Sequence, residues 1–174
     1  MNYHNISKDD MNNGDGIRVV LWVAGCEHHC PECQNEQTWD YESGIPFDYN
    51  AIQELREELS KDYVSGITFS GGDPLAPKNR NVVADLVYWV KENFPTKTIW
   101  VYTGYKFELL SFIAGTFSEN SDIYHIINHT DVLVDGRYNK DLRDVNLKWR
   151  GSSNQRVIDV QKSLSTRKVV LHCE

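Results

Sequence analysis

Between residues 18 and 134 the chain alternates short apolar runs with segments of helical period, and that alternation restricts the fold more than any other feature. Arg18-Val19-Val20-Leu21-Trp22-Val23 is β-branched and short enough for a buried strand. Asp48 then reads as an N-cap, followed by Ile52, Leu55 and Leu59 at helical spacing with Glu54, Glu57 and Glu58 facing out. Gly66-Ile67-Thr68-Phe69 reads as the next strand, and Val82, Val83, Leu86, Val87 and Val90 mark a helix that Pro95 stops. Thr98 to Tyr102 repeats the strand pattern, with Leu109, Leu110 and Ile113 on the helix after it. Val132-Leu133-Val134, Arg156 to Val160 and Lys168 to Leu171 supply further strands. Such a pattern predicts an α/β fold with a mostly parallel sheet and right-handed crossovers, in which ligands sit beyond the carboxyl ends of the strands.

The 174 residues, 40% of them hydrophobic, suffice for a single domain spanning 1–174 with a sizeable core. A net charge of −7 without any Lys/Arg block argues against nucleic acid or an anionic membrane as the main partner. The polar start Met1-Asn2-Tyr3-His4-Asn5 is no signal peptide and no apolar run has the length of a membrane span, so a cytoplasmic protein is expected. Partners are then protein or small molecule.

Three of the four cysteines fall within eight residues, Cys26, Cys30 and Cys33, directly after the first strand. In a reducing compartment such cysteines are metal ligands or catalysts before they are disulfides. Soft sulfur at this spacing suits one corner of a 4Fe-4S cluster, with one iron left without a protein ligand. The alternative is zinc, completed by His28 or His29 as a Cys3His site; otherwise the two histidines receive no role. Cys173, near the end of the chain, is left out of the site. The turn Ser70-Gly71-Gly72-Asp73-Pro74 follows the second strand and Thr103-Gly104 the third, so all three loops should gather on one rim. Paired glycines let backbone approach a ligand closely, although the bland reading is a tight strand-to-helix turn. Arg18, Arg137, Arg150 and Arg156 are natural carboxylate partners that spacing does not separate. Trp22, Trp89 and Trp100 read as core.

The C-x3-C-x2-C spacing followed one strand later by Gly-Gly-Asp-Pro resembles the radical S-adenosylmethionine superfamily. Asp15-Gly16-Ile17-Arg18, Trp100 to Tyr105, Val134 to Tyr138 and Trp149 to Gln155 further resemble the activating proteins of anaerobic ribonucleoside-triphosphate reductases, in the same order across nearly the whole chain. The resemblance implies a partial (β/α) barrel of the radical S-adenosylmethionine type, with Cys26, Cys30 and Cys33 holding a 4Fe-4S cluster. It implies S-adenosylmethionine held by Gly71, Gly72 and Asp73, with Gly72 touching the methionine amino group, and adenine met by backbone of Glu32, Cys33 and Gln34. Thr103 and the Ser152-Ser153-Asn154 run are weaker candidates for ribose or carboxylate. Glu32 stands where much of the superfamily has an aromatic residue, which leaves side-chain stacking on adenine unsupported. The implied activity is reductive cleavage of S-adenosylmethionine and formation of a glycyl radical on the large reductase subunit, with a reduced flavodoxin-like electron donor. Tyr102, Tyr105, Arg137 and Tyr138 are rim candidates for the incoming glycine segment. Another small enzyme of the superfamily acting on a metabolite, and a non-catalytic module binding zinc or a partner, are the alternatives.

Overall fold

A computed structural model describes residues 1–116 and 121–173. Its elements in chain order are β1 (Asn2–Asp10), β2 (Ile17–Val23), β3 (Ile45–Pro46), α1 (Tyr49–Leu59), β4 (Val64–Gly71), α2 (Arg80–Asn93), β5 (Thr98–Thr103), α3 (Phe107–Thr116), α4 (Asp122–His129), β6 (Val132–Asp135), β7 (Arg156–Asp159), α5 (Val160–Thr166) and β8 (Leu171–Cys173). The strands form one sheet in the order β3-β1-β2-β4-β5-β6-β7-β8.

The expected strand-helix units are present, but the sheet is mixed. Parallel pairing is confined to β2-β4-β5-β6, whereas β1, β3, β7 and β8 join antiparallel. The helices α1, α2 and the α3–α4 pair return the chain parallel between β2, β4, β5 and β6, whereas the short turn between β1 and β2 reverses it. β1 is the start that reads as merely polar; only Tyr3 and Ile6 along it are buried, since its other face meets solvent.

All five helices contribute to the main core on one face of the sheet, where Leu21, Ile67, Phe69, Ile99, Val101 and Leu133 point. Asp48 caps α1 as expected, its side chain accepting from the amides of Asn50 and Ala51. Glu58, expected outside, is buried, because Lys61 and Lys8 neutralise it at 2.6 and 3.6 Å. Of the apolar residues expected on α3, Leu110 is buried and Leu109 is exposed. α4 had no counterpart in the periodicity reading, yet Ser121 caps it and Ile123, Ile126 and Ile127 bury its face.

The opposite face of the sheet is more polar and carries a fully buried cation. Arg18, on β2 at the end remote from the cysteines, meets no carboxylate among the described residues. Its guanidinium donates to Thr68 Oγ1 (2.8 Å), Thr98 Oγ1 (2.9 Å) and the carbonyls of Ile67 (2.7 Å), Thr98 (2.8 Å) and Asp15 (3.1 Å), beneath the Trp100 ring. Burial lowers its pKa to about 10. These bonds join β2, β4 and β5 side to side, so Arg18→Met, which strands several buried acceptors, should destabilise the protein by about 3 kcal/mol in urea unfolding while leaving the cysteine loop chemically intact.

Candidate metal centre and cofactor cavity

β2, β4, β5 and β6 run parallel and in register, with Val23 beside Gly71 and Thr103 beside Asp135. The loops that leave them therefore emerge on one rim, as expected. A cavity of about 470 Å³ opens there, and Cys26, Cys30, Cys33, Gln34, Gly71, Gly72, Asp73 and Thr103 all line it. Glu32 does not. Its side chain is 69% exposed and pairs with Lys140 across the mouth at 3.1 Å. The cavity extends along the polar sheet face past Trp22, Ser70 and Tyr102 to Asn12 and Asn13 of the β1–β2 turn.

The close approach of two loops builds this rim. Gly72 donates its amide to the Val23 carbonyl at 2.7 Å and Asp73 its amide to Gly25 at 2.8 Å. A side chain on Gly72 would run into the Gly25 backbone, and Gly71 takes a φ of 97° against Val23. Asn79, fully buried, closes the corner by donating to the carbonyls of Ala24 and Asp73 at 2.8 and 3.0 Å.

Asp73 and Thr103 are engaged with each other. The Asp73 carboxylate is 2% exposed and accepts from Thr103 Oγ1 (3.0 Å), the Gly104 amide (3.0 Å), the Leu75 amide (2.8 Å) and His28 Nε2 (2.6 Å). In the sequence this pairing is marked only by a histidine inside the cysteine loop and an acid in the turn after the neighbouring strand.

The donor set fits a cluster held by three thiolates. All three thiols are free and half-buried on the same wall. The Asn35 amide donates to Cys33 Sγ at 3.4 Å, the kind of bond that stabilises cluster thiolates. Burial pushes the Cys26 thiol up to about 11 and raises that of Cys30, so ligation must displace their protons. A Cys3His zinc site lacks its fourth member: His28 is turned to Asp73, and exposed His29 lies against Trp39 with ring centroids 4.7 Å apart. Among the described residues no three His, Cys, Asp or Glu side chains converge as a single-ion site.

The arginines separate clearly. Arg18 lies at the far end of the strands, and Arg156 bridges Asp135 and Glu108 outside the cavity. Arg137 and Arg150 line the wall, and the Nε of Arg150 is buried without a hydrogen-bond partner. Among the other candidates, Ser152 is buried and binds Gln155 and the Asn139 amide, and Asn154 donates to the Arg137 carbonyl at 2.9 Å. Tyr102 and Tyr138 line the cavity, whereas Tyr105 packs edge-on against His28. Trp22 also lines the cavity rather than the core, Trp89 is half-buried against the main core, and Trp100 is fully buried.

A 4Fe-4S single cluster domain model matches residues 12–158, which defines the chain as an iron-sulfur protein. It is 45% identical over 157 residues to the anaerobic ribonucleoside-triphosphate reductase-activating protein of Enterobacteria phage T4, covering 90% of this chain and 93% of that protein. The proteins of the same name from Escherichia coli K12 and Haemophilus influenzae are 41% and 37% identical, each over 89% of this chain and 96% of their own. The chain belongs to the family of anaerobic ribonucleoside-triphosphate reductase-activating proteins. Among the described residues no helix is long and apolar enough to cross a membrane.

Behind the rim, Asp135 is fully buried and accepts from the Phe107 amide at 2.8 Å and from Arg156, whose guanidinium also grips Glu108 at 2.8 Å through two nitrogens. The Arg156 bond holds Glu108 down to about 2 from an ordinary 4.5. A depressed carboxylate contributes stability that is present above its unfolded value and lost as pH falls toward the folded one. Glu108→Gln should therefore flatten the stability-pH curve between about pH 4.5 and 2 in acid-unfolding titrations followed by circular dichroism.

Proposed function

We propose that this chain activates an anaerobic ribonucleoside-triphosphate reductase by reductive cleavage of S-adenosylmethionine at a 4Fe-4S cluster, leaving a glycyl radical on the large reductase subunit. The observation that carries this reading is the shared cavity: the three thiols and the Gly71-Gly72 turn line one wall, in a chain whose relatives bear the name of such an activator. We read the chain as one cytoplasmic radical S-adenosylmethionine domain, a partial barrel, that takes electrons from a reduced flavodoxin-like donor. Cys26, Cys30 and Cys33 would hold the cluster, which when bound would supply the single electron needed for reductive cleavage of S-adenosylmethionine.

The chain's own residues bind, orient and shield. An ammonium needs acceptors, and among the described residues nothing donates to the carbonyl of Gly72, whose amide is occupied by Val23. That carbonyl suits the methionine amino group. The cavity-lining guanidinium of Arg150 suits the methionine carboxylate. Backbone of Cys33 and Gln34 meets adenine, while Asp73 and Thr103, bonded to each other in the cavity lining, hold the turn in place. Tyr102 and Tyr138 face the space that the glycine segment must enter, where exclusion of water protects a radical.

Protein reconstituted anaerobically with iron and sulfide should be brown and, once reduced, should form 5′-deoxyadenosine from S-adenosylmethionine. Cys26→Ala, Cys30→Ala and Cys33→Ala should each abolish that product, and retention of parental cleavage by any of them overturns the ligand set. Adding the reductase should produce a glycyl radical signal in electron paramagnetic resonance; cleavage without that signal would point to a metabolite substrate. Arg150→Leu should raise the dissociation constant for S-adenosylmethionine by about tenfold or more in equilibrium dialysis, the loss expected on removing one charge-assisted pair.

A further inference from the structure

His28 sits midway between Cys26 and Cys30, yet its imidazole turns away from a ligand role. Nε2 meets Asp73 Oδ2 at 2.6 Å, with the two side chains only 6% and 2% exposed. The ring lies so close on Gly104 that any β-carbon there would strike it, and Tyr105 backs it edge-on at 4.7 Å. Asp73 in turn receives the hydroxyl of Thr103 and the amide of Gly104. Among the described residues the other side-chain ties from this loop to distant segments run from Glu27 to Tyr41 and from Glu32 to Lys140, and both are exposed to solvent. Exposed pairs hold a loop weakly, whereas a hydrogen bond between buried groups to a carboxylate is strong and directional. Between Cys26 and Cys33, His28 is therefore the firm anchor.

We propose that His28 is a positioning residue: acting through Asp73, it sets where the thiols of Cys30 and Cys33 stand relative to the Gly71-Gly72 turn. The inference rests on the reading of S-adenosylmethionine as ligand, since that molecule must reach both the cluster and the turn at once. Loosening the anchor leaves each half of the site present but misplaced with respect to the other.

The test compares anaerobically reconstituted parent, His28→Phe, His28→Gln and Gly104→Ala. Phenylalanine keeps a flat ring without the donor, glutamine restores an N–H to Asp73, and alanine at 104 displaces the imidazole without changing it. All four should carry equal iron and sulfide per chain. His28→Phe and Gly104→Ala should bind S-adenosylmethionine about tenfold or more weakly by equilibrium dialysis, the range typical of groups that orient ligands from behind. In both, the change that S-adenosylmethionine causes in the resonance spectrum of the reduced parent should be lost, and His28→Gln should restore affinity and spectrum together. Parental affinity and spectrum in both His28→Phe and Gly104→Ala overturn the inference, as does loss of iron from His28→Phe, which would make the imidazole a holder of the cluster. Failure of the parent itself to bind S-adenosylmethionine overturns the functional reading instead.

Discussion

The structure depends most on one carboxylate kept out of water. Asp73 is buried at the point where β2, β4 and β5 end, and a carboxylate there is tolerable only because donors from each neighbouring loop converge on it. The same bonds that offset its desolvation fix the rim. Rigid placement of the cavity wall is thus a by-product of satisfying a buried charge. Arg18 has the complementary role at the other end of the same strands, a buried cation surrounded by carbonyls and hydroxyls. The central sheet is tied at both ends by polar groups, with the main apolar core on its helical face and a smaller cluster of Trp100, Val132, Val134 and Val157 on the other.

Much of this was legible in the residues, because the strongest signals are local. Val19 to Val23 can bury both faces, Asp48 has the side chain of a cap, and the spacing of Cys26, Cys30 and Cys33 needs no tertiary information. Placement of Gly71-Gly72 and Thr103 beside them followed from strand order alone. What escaped was either weakly periodic or set by contacts distant in the chain. β1 is polar along most of its length and becomes a strand only because β2 offers it an edge. Glu58 reads as a surface acid until Lys8, 50 residues earlier, is brought to it. The engagement of Asp73 by His28 spans 45 positions and leaves no trace in local pattern.

The arginines show the same limit from another side. Arg18, Arg137, Arg150 and Arg156 are equivalent as candidate carboxylate partners by residue type, and only the fold distinguishes a structural one under Trp100, a surface one held by Glu108 and Asp135, and two that face the cavity. A residue type fixes what chemistry is available, while the strand end on which it stands decides whether that chemistry meets a ligand.

The edges of the sheet carry a further consequence. β3, at one margin, is two residues long and ends in Pro46, and β8, at the other, has three residues. Proline has no amide to donate and β3 and β8 offer few free backbone groups, while the part of β1 that β3 leaves uncovered is broken by register shifts and carries Lys8, Asp9 and Asp10, so an extended strand from another chain finds a poor template on either margin. Edge-to-edge association, the common route by which sheet proteins aggregate or recruit a peptide, is thereby discouraged.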